Sequence, residues 1–92
     1  MIESFRHKGL KRLFEKDDRR ALPPEMVERI RVILFALDEA RVIEDMDLPI
    51  FKLHALKGDR KGLWTVTARA NWRIVFGFVD GNAIDVDFID YH

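Results

Sequence analysis

At 92 residues and 48% hydrophobic content the chain can bury one modest core, expected as a single domain over residues 1–92. No apolar run approaches the roughly 20 residues of a membrane span, and the absence of cysteine excludes disulfides and thiolate ligands. Sixteen basic and sixteen acidic residues cancel, unlike the strongly basic balance of a simple non-specific DNA binder.

The opening Met1-Ile2-Glu3-Ser4 lacks the charged-then-apolar order of a secretory signal, so a cytoplasmic location is expected. Residues Ile2 to Phe5 suit a short strand. Lys8 to Glu15 carries Leu10, Leu13 and Phe14 at helical spacing. Lys16 to Ala21 is highly charged and reads as a loop or frayed end. Leu22-Pro23-Pro24-Glu25 then opens the strongest helix, since proline is tolerated in a first turn where its missing N–H has no partner to lose. Met26, Ile30, Ile33, Leu37 and Ala40 recur at steps of three and four, with Val27 and Leu34 alongside. The spacing of Glu25 and Arg29 predicts an outer-face pair. This helix should end near Ala40, before an irregular acidic stretch over residues 41–50.

From Phe51 the period changes to two. Phe51 to His54 alternates, and Leu56 to Gly62 is a loop with two glycines. Trp64, Val66 and Ala68 alternate with Thr65, Thr67 and Arg69. A tight connection at Ala70-Asn71 leads to a strand with Trp72, Ile74, Phe76 and Phe78 on one face and Arg73, Val75 and Gly77 on the other. Asp80-Gly81 is a hairpin signal, because these residues accept positive φ. Ile84, Val86 and Phe88 resume the alternation to the end of the chain. The expectation is an α+β fold: two N-terminal helices packed on a twisted antiparallel β-sheet of about four strands. Trp64 and Trp72 are expected in the core.

Charge is unevenly spread. Residues 52–73 carry six basic side chains against Asp59, and residues 6–20 carry seven against three acidic ones. Should these two regions share a face, nucleic acid or another phosphate-rich partner could dock there. The plainer alternative is a solvated mixed surface.

His54 at a strand end, Lys57 in the following loop, Arg73 on a neighbouring strand and the closing Asp90-Tyr91-His92 can meet at one edge of such a meander. Metal-free RNA cleavage needs a base for the 2′-hydroxyl proton, an acid for the departing 5′-oxygen, and cations for the charge developing at phosphorus. Histidine, titrating near pH 6.5, suits both proton roles. Lysine and arginine suit the third, arginine through two parallel N–H groups. Tyrosine can stack on a splayed base or donate a hydrogen bond. Each residue also has an ordinary reading, as a strand histidine, surface cation or chain end. His7 reads as structural or solvated. Asp85, Asp87 and Asp90 could suggest a magnesium site, but the first two share a strand face and the third has the other parity, so no metal is assigned. Lys57-Gly58-Asp59-Arg60 lacks the ending of a nucleotide phosphate loop.

Four segments together resemble the HigB-type toxins of the RelE/ParE superfamily, the plasmid maintenance system killer family. They are Met1 to Leu10, Lys52 to Arg60 with Gly62, Arg69-Ala70-Asn71-Trp72-Arg73-Ile74, and the terminal Asp90-Tyr91-His92. The resemblance implies a RelE-like fold and a ribosome-dependent endoribonuclease that cuts mRNA in the 30S A site without metal or other cofactor. It implies a HigA-like helix-turn-helix antitoxin as partner, with operator DNA bound only through that antitoxin and no membrane association. It also implies that His54 and His92 share the proton transfers, that Asp90 and Tyr91 support them, and that Lys57 and Arg73 hold the scissile phosphate. The balanced charge departs from the more basic character of many ribosome-bound toxins. Two alternatives are a non-enzymatic ParE-like inhibitor of DNA gyrase and a domain retained only to bind an antitoxin.

Overall fold

The computed structural model describes residues 1–90; Tyr91 and His92 lie outside the described residues. Helix α1 spans Lys8–Lys16. Its start is fixed by His7, whose Nδ1 accepts the Leu10 N–H at 3.2 Å, satisfying one of the donors that a first turn leaves unpaired. Its end is fixed by Asp17, which turns left-handed at φ 56°. The Asp17 and Asp18 N–H groups then return to the Leu13 and Arg12 carbonyls. Lys16 to Ala21 is thus an ordered exit in which Asp18 pairs with Arg20, the Asp18 carboxylate accepting from Nε at 3.0 Å and Nη2 at 2.9 Å.

A 3-10 turn at Pro24–Met26 feeds helix α2, Val27–Glu39. The expected stripe is buried: Met26, Val27, Ile30, Ile33, Leu34, Leu37 and Ala40 all enter the core. The expected Glu25–Arg29 surface pair does not form. Arg29 turns inward, donating to the carbonyls of Thr67 (3.1 Å), Ala68 (3.3 Å) and Ile50, with its guanidinium 5.3 Å from the centre of the Phe51 ring. Three peptide carbonyls left unpaired by an irregular backbone hold a cation more firmly than one exposed carboxylate does.

Four antiparallel strands follow in the order β1-β2-β3-β4: His54–Ala55, Leu63–Arg69, Trp72–Val79 and Asn82–Asp90. β1 is shorter than the alternation from Phe51 suggests. Lys52 takes a left-handed φ of 51°, which breaks the extended run, and Phe51 drops into the core instead. The β3–β4 hairpin uses the expected two-residue turn, with Asp80 and Gly81 both at positive φ.

One side of the sheet meets the helices through Val66, Ala68, Ile74, Phe76, Ala83, Val86 and Phe88, with Trp64 and Trp72 packed half-buried at its margin. Trp72 stacks on Phe88 with ring centres 4.6 Å apart. Ile84 departs from the expected alternation. Asp85 sits at φ 52° as the extra residue of a bulge, so Ile84 pairs with Gly77 on the opposite face while Val86 returns to the core. Ile84 occupies the space a side chain at 77 would take: a Cβ there would lie 2.9 Å from Ile84 Cγ1.

The first residues run parallel to β4 through bridges at Ile2–Ala83 and Phe5–Val86. Ser4 fastens the bulge, its Oγ accepting the Asp85 N–H at 2.8 Å. The expected N-terminal strand exists, but only as two separated bridges. Among the described residues, no helix is long and apolar enough to cross a membrane.

Candidate active site

The sheet face turned away from the helices holds several of the residues expected at the site. Cross-strand partners share a face, so the register gives one row His54, Thr65, Val75 and Asp87, and a second row Thr67, Arg73 and Ile89. His54 and Arg73 therefore stand on the same side. Two strand spacings and two residues along the strand separate their Cα atoms by roughly 12 Å. That gap suits an imidazole and a guanidinium reaching one ribose-phosphate from opposite sides.

His54 is exposed. Lys57, also exposed, precedes a single 3-10 turn, Gly58–Arg60, and the loop is closed by Leu56 N–H to the Leu63 carbonyl at 2.9 Å. Gly58 and Gly62 both need left-handed φ in this loop. Arg73 is half-buried, and its Nη1 donates to the carbonyls of Ala70 at 2.5 Å and Trp72 at 3.3 Å. The tether to the β2–β3 turn fixes one side of the guanidinium. Its Nε–Nη2 edge still offers the parallel N–H pair that matches a phosphate.

Asp90 ends β4 opposite Trp72. By register it lies on the other face from Arg73, while its neighbour Ile89 is Arg73's partner. The described end of the chain thus adjoins Arg73, as a meander of this order requires. Tyr91 and His92, the other two expected catalytic residues, lie outside the described residues. The structure brings His54 and Arg73 to one face, sets Lys57 in the adjoining loop, and places Asp90 at the border.

Beside these residues is a cleft of about 300 Å³ lined by Arg6, Arg60 and Asp59 at its rim and Leu63, Val75, Asp87 and Ile89 within it. Arg6 comes from the first basic stretch and Arg60 from the second, so one residue of each meets here, while Lys8, Lys11, Arg12, Lys16 and Arg20 of the first stretch line concavities along α1 instead. No spacing in the sequence marks either arginine, because only folding brings them together. Asp87 suggests by sequence no more than a metal ligand. Thr65 fits the plain alternation of β2, yet it is 5% exposed and its Oγ1 has no hydrogen-bond partner among the described residues. A larger concavity, about 670 Å³, lies along α1 among Arg12, Lys16, Asp18 and Arg20. It is a shallow space between exposed charged side chains, with none of the expected site residues in its lining.

His7, expected to be structural or solvated, is structural. It caps α1 and its ring meets Phe88 edge-on, 5.8 Å between centres. Among the described residues no three histidines, aspartates or glutamates gather to hold a metal ion.

A family model described as the RelE-like toxin HigB of type II toxin–antitoxin systems matches residues 3–92. The chain belongs to the HigB toxin family. It is 51% identical to the Endoribonuclease HigB of Proteus vulgaris over all 92 residues, covering the whole of both proteins. Toxin HigB-1 of Vibrio cholerae is 30% identical, with 100% of this chain and 98% of that protein aligned. Among solved structures, a chain of the heterotetrameric YoeB–YefM toxin–antitoxin complex of Staphylococcus aureus superposes with a TM-score of 0.63 at 19% identity, covering 100% of this chain and 98% of that one. That likeness concerns the fold, a pair of helices on a four-stranded antiparallel sheet, as expected.

Proposed function

We propose that this HigB-family toxin is an endoribonuclease that cuts mRNA in the ribosomal A site and so halts translation. The observation that carries the reading is the shared open face of His54 and Arg73, beside a cleft lined by Arg6 and Arg60. One relative supplies the reaction class, since the Proteus protein is named an endoribonuclease.

In the proposed reaction a base removes the 2′-hydroxyl proton and the 2′-oxygen attacks phosphorus. The P–O5′ bond breaks, and an acid protonates the departing 5′-oxygen. The products are a 2′,3′-cyclic phosphate and a 5′-hydroxyl. His54 and His92 share the two proton transfers. Arg73 and Lys57 stabilise the charge on the phosphoryl oxygens. Asp90 and Tyr91 support the site. No metal is assigned a role, so cleavage should survive chelation once the ribosome's own magnesium is maintained.

The partner is an antitoxin of the HigA kind, with operator DNA reached only through it, and the place of action is the cytoplasm. Mapping mRNA ends after induction tests the reading: the native protein should give new ends within translated codons, and His92→Ala should give none. New ends from His92→Ala at the native level would overturn the assigned chemistry. Gyrase inhibition with intact mRNA would overturn the nuclease reading altogether.

A further inference from the structure

We infer that the cleft between Arg6, Arg60 and Asp87 is a nucleotide subsite that holds one unpaired residue of the RNA next to the cut and selects its base. The inference rests on the nuclease reading and adds to it a site and a preference.

Three features of the cleft point to a nucleotide. Arg6, before α1, and Arg60, in the loop between β1 and β2, both line the cleft, and each guanidinium can grip a backbone phosphate with paired N–H donors. Leu63, Val75 and Ile89 give the interior an apolar surface, against which the face of an unstacked base can lie. Asp87 lines the same cleft, and its Oδ1 accepts the N–H of Phe88 at 2.9 Å. That bond holds the carboxylate in one orientation, which a base-reading group needs.

The row of side chains continues from the cleft to the chemistry. Asp87, Val75, Thr65 and His54 are successive cross-strand neighbours on one face. Between the cleft and His54 lies the Thr65 hydroxyl, buried and without a hydrogen-bond partner among the described residues. A buried hydroxyl of this kind is costly in a core.

A carboxylate only accepts hydrogen bonds. It therefore favours bases that present an amino group: adenine, cytosine or guanine. Uracil presents carbonyl oxygens on both sides of its single ring N–H, and these face the carboxylate unfavourably. The subsite should thus disfavour uracil at one fixed position beside the cut.

The test is cleavage of a codon-randomised mRNA pool during cell-free translation, with product ends sequenced. For the native protein, uracil should be depleted at least fivefold at one position near the cut. Asp87→Asn, whose amide both donates and accepts, should reduce that depletion to under twofold while cleavage continues. The double variant Arg6→Ala, Arg60→Ala should raise the protein concentration for half-maximal cleavage at least tenfold and keep the base preference. The double lysine variant should recover part of that loss. Melting curves identify any variant that fails to fold, and Asp87→Ser then replaces Asp87→Asn. Native cleavage without uracil depletion, an Asp87 variant with the native preference, or an arginine variant within twofold of native would each overturn the subsite and leave the nuclease reading intact. A native protein that cuts nothing overturns that reading itself.

Discussion

His54 and Thr65 are direct cross-strand partners, and the hydroxyl beside the imidazole is buried with no hydrogen-bond partner among the described residues. An unpaired buried hydroxyl lowers stability, and replacing it with a methyl group of the same shape removes that cost. Thr65→Val should therefore raise stability by about 1 kcal/mol, a rise in Tm of roughly 4–8 °C for a protein of this size. Calorimetry on the purified variant checks this, and a variant less stable than native would show that the hydroxyl is satisfied in solution.

Arg29 ties α2 to three carbonyls at the point where the chain enters β1 and β2 bends. Arg29→Met keeps the stem and removes the donors. It should cost about 2–4 kcal/mol, because hydrogen bonds to a charged group are worth roughly 1.5–3 kcal/mol each and do not add fully. Arg29→Lys keeps the charge without the fork and should fall between the two. Urea denaturation gives the order directly, and a lysine variant as stable as native would show that charge alone suffices.

Gly9 is enclosed where α1 meets the loop that follows it. A Cβ there would lie 2.8 Å from His7 Cε1 and 2.9 Å from Ala21 Cβ. Alanine's better helix propensity is worth about 1 kcal/mol, but overpacking of this kind costs about 1–3 kcal/mol and displaces the capping imidazole as well. Gly9→Ala should thus be destabilising by about 1 kcal/mol, read as a lower denaturation midpoint. A stabilised variant would mean that the cap moves without cost.

The Asp18 carboxyl is lowered from 3.8 to about 2, first by its side-chain hydrogen bonds with Arg20 and then by the Arg20 N–H. A carboxyl depressed in the folded state stabilises the fold above its unfolded pKa. Its contribution is present above pH 3.8 and is lost as the pH falls towards 2. NMR titration of the carboxyl should give a midpoint near 2, returning towards the ordinary value in Arg20→Ala. The Asp45 carboxyl is lowered too, by the N–H groups of Arg41 and Val42, and Asp45→Asn should loosen the turn that follows α2. Unchanged titration in Arg20→Ala would separate the Asp18 shift from its partner.

Period and turn chemistry made much of the fold legible. The α2 stripe, the Asp80-Gly81 hairpin and the alternation of β2 and β3 are local signals, and local geometry decided them. Three features depended on contacts between distant residues. Lys52 takes left-handed backbone with a side chain that does not announce it, and Asp85, of a type that tolerates it, does so in the middle of an alternating strand. Arg29 has helical neighbours suited to pairing, yet its donors go to carbonyls about 20 and 40 residues away. The cleft needs Arg6 beside Arg60, a proximity that no spacing rule contains. His54, Lys57 and Arg73 stood out as candidates because their residue types suit RNA chemistry, and the register puts His54 and Arg73 on one face with β2 between their strands. Thr65 and Asp87 were missed because an outward threonine and a strand aspartate are ordinary until their burial and register are known.

The bridges of Ile2 to Ala83 and Phe5 to Val86 join the two ends of the chain. During synthesis the first-made segment has no partner until the final strand leaves the ribosome, so closing the fold is a late event. A nascent copy must remain unassembled through almost the whole of its own translation. For a protein proposed to cut the message being read, that delay separates manufacture from action.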